Sequence, residues 1–162
     1  MQRFNNMTFL VTPGTIIYST SLYNIPTLSQ QWIDETPPIY ALHLAASAGL
    51  TGAVIRLLKG GCEIDEKDRS GSTPLYYASL NGHLDILRSL LDEGANVNAQ
   101  GGWYGNALQA ASERGHEQVV KTLLDKGAEV NAQGGEYGNA LQAASVGGHE
   151  QVVTTLLNAG AH

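Results

Sequence analysis

Cysteine, positive charge and long apolar runs are all scarce in this chain of 162 residues, and each scarcity removes a class of function. The single cysteine, Cys62, excludes an internal disulfide and any multi-cysteine metal site. It suits a reducing compartment, so a cytoplasmic or nuclear setting is expected. Nine Lys and Arg residues stand against 15 Asp and Glu, leaving a net charge of −6. Nucleic-acid binding calls for a basic patch that displaces counterions from phosphates, so neither a nucleic acid nor an anionic membrane is expected as partner. No apolar run approaches the ~18–20 residues of a membrane-crossing helix. The stretch Thr8-Phe9-Leu10-Val11-Thr12 is broken at once by Pro13-Gly14, which argues against a signal peptide. A phosphate-cradling G-x-x-x-x-G-K-[ST] loop is also missing, so no bound nucleotide is expected. Asn6-Met7-Thr8 forms a glycosylation sequon of a kind frequent by chance.

Glycine, by contrast, is plentiful and falls at regular places. Gly49, Gly82, Gly115 and Gly148 are each 33 positions apart, as are Gly61, Gly94, Gly127 and Gly160. The same step relates Leu42, Leu75, Leu108 and Leu141, and also Ala45, Ala78, Ala111 and Ala144. Leucine pairs recur in register at 57–58, 90–91, 123–124 and 156–157. A fixed period of this size marks a repeat architecture.

Each unit reads as helix, turn, helix, extended loop. In the second, Thr73 is placed to cap a helix and Pro74 sits at the first helical position, where its missing N–H costs nothing. Leu75, Ala78 and Ser79 follow at helical spacing, with small residues allowing close approach, and Gly82 can take the left-handed backbone that stops a helix. A second helix carries Ile86, Leu87, Leu90 and Leu91 and ends at Gly94-Ala95. Helices of roughly ten residues fall below the ~12–15 needed for marginal stability alone. The leucines must therefore be buried against neighbouring units, which gives an elongated solenoid.

The run Asp68, Gly71, Thr73-Pro74-Leu75, Ala78, Asn81-Gly82-His83, Leu90-Leu91, Gly94-Ala95 and Val97-Asn98-Ala99 closely resembles the ankyrin repeat. The first unit shares the resemblance through Ala41-Leu-His-Leu-Ala-Ala46, Gly49, Leu57-Leu58 and Gly61. The third and fourth are variants, Gly101-Gly-Trp-Tyr-Gly-Asn-Ala-Leu-Gln-Ala-Ala-Ser112 and Gly134-Gly-Glu-Tyr-Gly-Asn-Ala-Leu-Gln-Ala-Ala-Ser145. There Asn replaces the usual Thr, Ala replaces Pro and Gln replaces His. Asn106 and Asn139 remain good caps, and Gln109 and Gln142 can still hydrogen-bond across the loop. This variant resembles the arrays of large fungal proteins that join ankyrin repeats to a nucleotide-binding domain. The fold class expected is all-α: four stacked helix-turn-helix units with loop fingers, at about 38–67, 68–100, 101–133 and 134–162, after a non-repeating segment 1–37.

The two ends stand apart. Phe9-Leu10-Val11 and Ile16-Ile17-Tyr18 flank a turn and could pair as a hairpin leaning on the first unit, or residues 1–25 could stay disordered. Trp32 and Ile33 are placed to cover that unit's open face. At the other end the last helix carries Val152, Val153, Leu156 and Leu157 with no unit after it. Fraying, association through that face, or continuation in a longer protein are the expected consequences.

Catalytic, cofactor-binding and metal residues are not expected. His83, His116 and His149 sit one repeat apart, and helices stacked at ~8–10 Å cannot bring them to one ion. Zinc needs every ligand within ~2 Å, so they read as structural turn residues. His116-Glu117 and His149-Glu150 begin like the zinc-protease motif H-E-x-x-H, but Val120 and Val153 stand where its second histidine belongs. Cys62 shares a column with Ala95, Ala128 and Ala161, a small apolar position suited to packing rather than nucleophilic attack. Residues 1–37 hold no His, no Cys and only two acids, Asp34 and Glu35.

A protein partner is expected instead. The third and fourth units differ at Trp103 against Glu136, Glu113 against Val146 and Arg114 against Gly147, and positions that accept such different chemistry face solvent. The resemblance implies that loop tips and the ends of first helices line a concave binding face. The equivalent positions earlier are Arg69, Ser70, Ser72, Leu80 and Asn81, then Ser47 and Ala48. Exposed Trp beside Arg is the usual composition of an interface anchor. Tyr104 and Tyr137 recur in both copies and are expected to brace the loops. Four units give a groove roughly 30–40 Å long, enough for the ~800 Å² per partner of a standard interface.

Overall fold

The computed structural model describes residues 38–162, which form eight helices. They are α1 (Pro38–Ser47), α2 (Thr51–Lys59), α3 (Pro74–Leu80), α4 (Leu84–Asp92), α5 (Ala107–Glu113), α6 (Glu117–Asp125), α7 (Ala140–Val146) and α8 (Glu150–Asn158). No strand occurs among the described residues; one isolated antiparallel bridge joins Gly134 and Gly138 within a loop finger. The fold is the expected all-α stack of four helix pairs. The proposed hairpin at 9–18 and the cover by Trp32 and Ile33 lie outside the described residues.

The first helices begin as their sequences dictate. Thr73 Oγ1 accepts from Tyr76 N at 3.3 Å, Asn106 Oδ1 from Gln109 N at 2.9 Å, and Asn139 Oδ1 from Gln142 N at 2.8 Å. Thr and Asn thus do the same work, each satisfying one of the orphan amides of a helix start. Asn106 is buried, so water cannot replace it. Asn106→Ala is expected to cost about 1 kcal/mol in urea unfolding.

The ends of these helices are closed by the following unit. His83 Nε2 lies 3.0 Å from Ser47 O, His116 Nε2 3.1 Å from Leu80 O, and His149 Nε2 2.7 Å from Glu113 O. Each ring donates to the last carbonyl of the preceding unit's first helix, one of the acceptors a helix C-terminus leaves unpaired. Gly82 (φ 72°) both permits the turn and leaves room, since a Cβ there would meet the His116 ring at 2.7 Å. The three histidines are therefore structural staples between units. Among the described residues no group of three or more His, Cys, Asp or Glu is placed to hold a metal ion.

The core runs the length of the stack as one cluster. Successive first helices meet along alanines: Ala45, Ala78, Ala111 and Ala144 are all fully buried. A methyl side chain lets backbones approach while still filling space. Second helices supply bulk through Ile86, Leu87, Leu90, Val119, Val120, Leu123, Val152 and Leu156. Cys62 is half-buried and packs against this cluster, matching its column of alanines. At the fourth unit Val152 and Leu156 are buried inside the pair, whereas Leu157 is 52% exposed. Of the apolar residues on this last helix, Leu157 is thus the one left exposed among the described residues.

Candidate functional site

The loop fingers between helix pairs are tied side by side. Gly102 N donates to Ser70 O at 3.1 Å, and Glu136 N donates to Trp103 O at 3.1 Å, so three successive tips are joined by their backbones. A second set of bonds seats each finger on the first helix of the unit before it. His43 Nε2 contacts Glu66 O at 2.8 Å and Ser72 O at 3.1 Å. In the same column, Tyr76 Oη accepts from Tyr104 N at 3.3 Å. Gln109 Nε2 reaches Ala132 O, Gly134 O and Gly138 O at 3.3, 3.0 and 3.1 Å. His, Tyr and Gln are unlike residues, but each carries one polar group on a stem long enough to reach a loop backbone. Gln109 meets the sequence expectation. Gln142 does not: it is exposed, with no further loop among the described residues over it.

Asp68 organises the finger of the second unit. Its Oδ1 accepts from Ser70 N, Ser70 Oγ and Ser72 N at 2.9, 2.7 and 3.0 Å, and its Oδ2 accepts from Tyr77 Oη at 2.5 Å. Burial pushes the Asp68 carboxyl up, but these bonds, led by those from Ser70 and Tyr77, outweigh it and hold the group below its ordinary 3.8. Tyr77 is pushed up to about 12, first by burial and then by the Asp68 carboxylate that its hydroxyl serves. A carboxyl depressed in the folded state adds stability above its unfolded pKa and loses it as pH falls through the folded value. Acidification below about pH 4 is therefore expected to weaken the wild type more steeply than Asp68→Asn, measured by urea midpoints across pH. Asp68 was not singled out as a site residue, although Asp-x-Ser-x-Ser is a signal for side-chain-stabilised turns.

The residues expected on the concave face divide by exposure. Arg69, Ser70, Asn81, Ala48 and Glu136 are exposed, and Leu80 and Ser47 are partly covered. Trp103 is 67% exposed and Val146 66%. Ser72 is placed differently from the expectation: it is buried beneath the finger, where its hydroxyl meets Ser70 Oγ at 2.7 Å and its carbonyl takes the His43 bond. Its neighbour alternation in the turn sends Ser70 outward and Ser72 inward. Glu113 is also more covered than expected, with its side chain 20% exposed, because its carboxylate lies 3.0 Å from Arg114 Nε.

Around Trp103 the structure gathers a braced cluster. Tyr104 stacks on Tyr137 with centroids 6.0 Å apart and planes 16° from parallel, which confirms the pair as loop braces. Arg114 Nη2 donates to Tyr104 Oη at 3.5 Å while the side chain stays 53% exposed. Asn81 Nδ2 reaches Ser47 Oγ at 3.3 Å, linking the ends of two first helices. The arrangement offers a fixed apolar ring, guanidinium donors and short polar groups on one rigid surface.

A family model described as ankyrin repeats in three copies matches residues 25–101 and 100–162. The chain belongs to the ankyrin-repeat family. Such repeats generally mediate protein–protein interaction. Similar proteins include an ankyrin and IPT/TIG repeat-containing protein of Schizosaccharomyces pombe, 45% identical over 37% of this chain and 5% of that protein. The mouse B-cell lymphoma 3 protein homolog is 48% identical over 37% of this chain and 14% of its own length. Human protein phosphatase 1 regulatory subunit 27 is 41% identical over 36% of this chain and 38% of its own. The ankyrin array thus spans well under half the length of each of these relatives. Proteins named as enzymes are also among those that match. No helix of the described array is long and apolar enough to cross a membrane.

Proposed function

We propose that this ankyrin array is a non-enzymatic recognition module, intracellular in setting, that binds a partner protein through its finger tips and first-helix ends. The exposure of Trp103 carries the reading. A tryptophan left 67% exposed forfeits burial worth roughly 25 cal/mol per Å² of its apolar surface. It is held on a tip whose backbone is tied to Glu136 and whose neighbour Tyr104 is stacked, so little ordering entropy remains to be lost on binding. Arg114 beside it supplies the charged half of an anchor pair. A relative named as a regulatory subunit supports a role exerted through contact rather than chemistry.

Capture of partners from the source organism's extract tests the reading. Trp103→Ala is expected to weaken capture at least tenfold, as truncated anchors do, and Arg114→Ala about 2- to 5-fold, one exposed ion pair's worth, with circular dichroism unchanged. Capture that survives both substitutions removes the concave face as the site. The variant third and fourth units support a second reading, in which the array is a spacer or regulatory piece like those of fungal nucleotide-binding proteins. A spacer captures nothing in the same experiment.

A further inference from the structure

The chain is acidic, with a net charge of −6, but its recognising face is not. Its surplus carboxylates lie largely elsewhere, as on the second helices at Asp85, Asp92 and Asp125. Three cations stand on the finger that enters the second unit and at the end of α5: Lys67, Arg69 and Arg114. Two carboxylates next to them in sequence are engaged. Asp68 is consumed by Ser70, Ser72 and Tyr77, and Glu113 by Arg114. Lys67 Nζ donates to Gln100 O at 2.8 Å, which positions its charge without neutralising it. Arg69 is exposed and takes part in none of the ion pairs among the described residues. Among the described residues the one exposed acid of the tips, Glu136, lies beyond Trp103 on the finger of the fourth unit.

The cations are tied to residues on either side of Trp103 along the chain. Arg69 precedes Ser70, whose carbonyl accepts from Gly102 N immediately before Trp103. Arg114 is bonded to Tyr104, the residue immediately after Trp103. A guanidinium carries five N–H donors; in Arg114 one reaches Tyr104 at 3.5 Å, Nε lies 3.0 Å from Glu113 Oε2 as an ion pair without a hydrogen bond, and the side chain stays 53% exposed to an incoming acceptor. Its planar fork matches a carboxylate in two-bond geometry, which gives direction as well as charge.

We infer that the occupant of this face is an extended acidic segment of a partner protein, with an apolar side chain on Trp103 and carboxylates on either side reaching Arg69 and Arg114. This rests on the reading of the concave face as the partner site. The order of charges also sets direction, because Glu136 repels a carboxylate placed past Trp103 toward the fourth unit. The acidic part of the segment lies over the second and third units.

A random peptide library displayed on phage and selected against the full chain tests this, with binding of selected synthetic peptides measured by fluorescence anisotropy. Selected sequences are expected to carry Asp or Glu on both sides of Leu, Ile, Phe or Trp. Arg69→Ala with Arg114→Ala should weaken them about 2- to 30-fold, two exposed ion pairs' worth. Raising salt from about 0.05 to about 0.5 M should weaken them in the same sense. Glu136→Lys should tighten binding, a gain that misfolding cannot imitate. Selected peptides that are basic or uncharged but still lost in Trp103→Ala overturn the acidic partner and leave the concave-face reading standing. Peptides indifferent to Trp103→Ala and Arg114→Ala overturn both, and a selection that enriches nothing overturns the acidic segment.

Discussion

Gly101→Ala is expected to cost about 2–5 kcal/mol and to break the stack between its second and third units. Gly101 has φ 150°, a backbone conformation that side-chain-bearing residues rarely adopt. Space is the second obstacle. A Cβ built there overlaps the carbonyl oxygen of Gly71 and lies 2.6 Å from its carbonyl carbon. Both are backbone atoms, so no rotamer change can relieve the overlap, and one finger must move off the other. The bonds Gly101 N to Gly105 O at 2.8 Å and Gly102 N to Ser70 O at 3.1 Å are then strained together. Two other glycines serve as controls for the cause. Gly94 has φ 94° but nothing within 4 Å of its added Cβ, so Gly94→Ala meets strain alone and should lose about 1–2 kcal/mol. Gly52 is helical in α2 with nothing nearby, and Gly52→Ala should stabilise by about 0.4–1 kcal/mol. Urea unfolding followed by circular dichroism ranks the three. A Gly101→Ala no worse than Gly94→Ala would refute the crowding of the fingers.

Gln109→Ala is expected to destabilise by about 2–4 kcal/mol, while Gln142→Ala changes stability by no more than about 0.5 kcal/mol. The two glutamines occupy the same position in nearly identical sequences. Gln109 is 1% exposed and its amide nitrogen serves three carbonyls of the next finger. Truncation takes the Gln109 donor from Ala132 O and Gly134 O, Gly138 O keeping its bond from Gly134 N, and leaves a cavity behind, and both terms are unfavourable. Gln142 is exposed, so water takes the place of whatever its amide contributes. Hydrogen exchange adds a local readout: amides of residues 132–138 should exchange faster in Gln109→Ala. Equal effects of the two substitutions would show that helix propensity, not the cross-loop clamp, is what the position contributes.

Most of the fold was legible because ankyrin units encode it locally and four times over. Columns of Leu, Ala and Gly at one spacing report helix faces and stops, and the caps Thr73, Asn106 and Asn139 mark the starts. Histidine was read as a turn residue, but its bond to the preceding unit's last helical carbonyl depends on two units meeting and had no separate signature. The candidate face was legible in part. Comparing units three and four picked out Trp103, Arg114, Glu136 and Val146, all of them exposed. It misplaced Ser72 and the coverage of Glu113, because tolerance of substitution between copies does not report which way a turn residue points.

By itself the amino-acid order determined the helix pairs, their period and the need to stack, since short amphipathic helices cannot hide their leucines alone. Only the tertiary structure decided which polar groups are spent and which are offered. Gln109 and Gln142 look alike in a list of residues, but the finger of the next unit covers the first and takes its amide, whereas the second lies exposed. Burial and pairing are properties of two units in contact, and one unit's sequence carries no record of that contact.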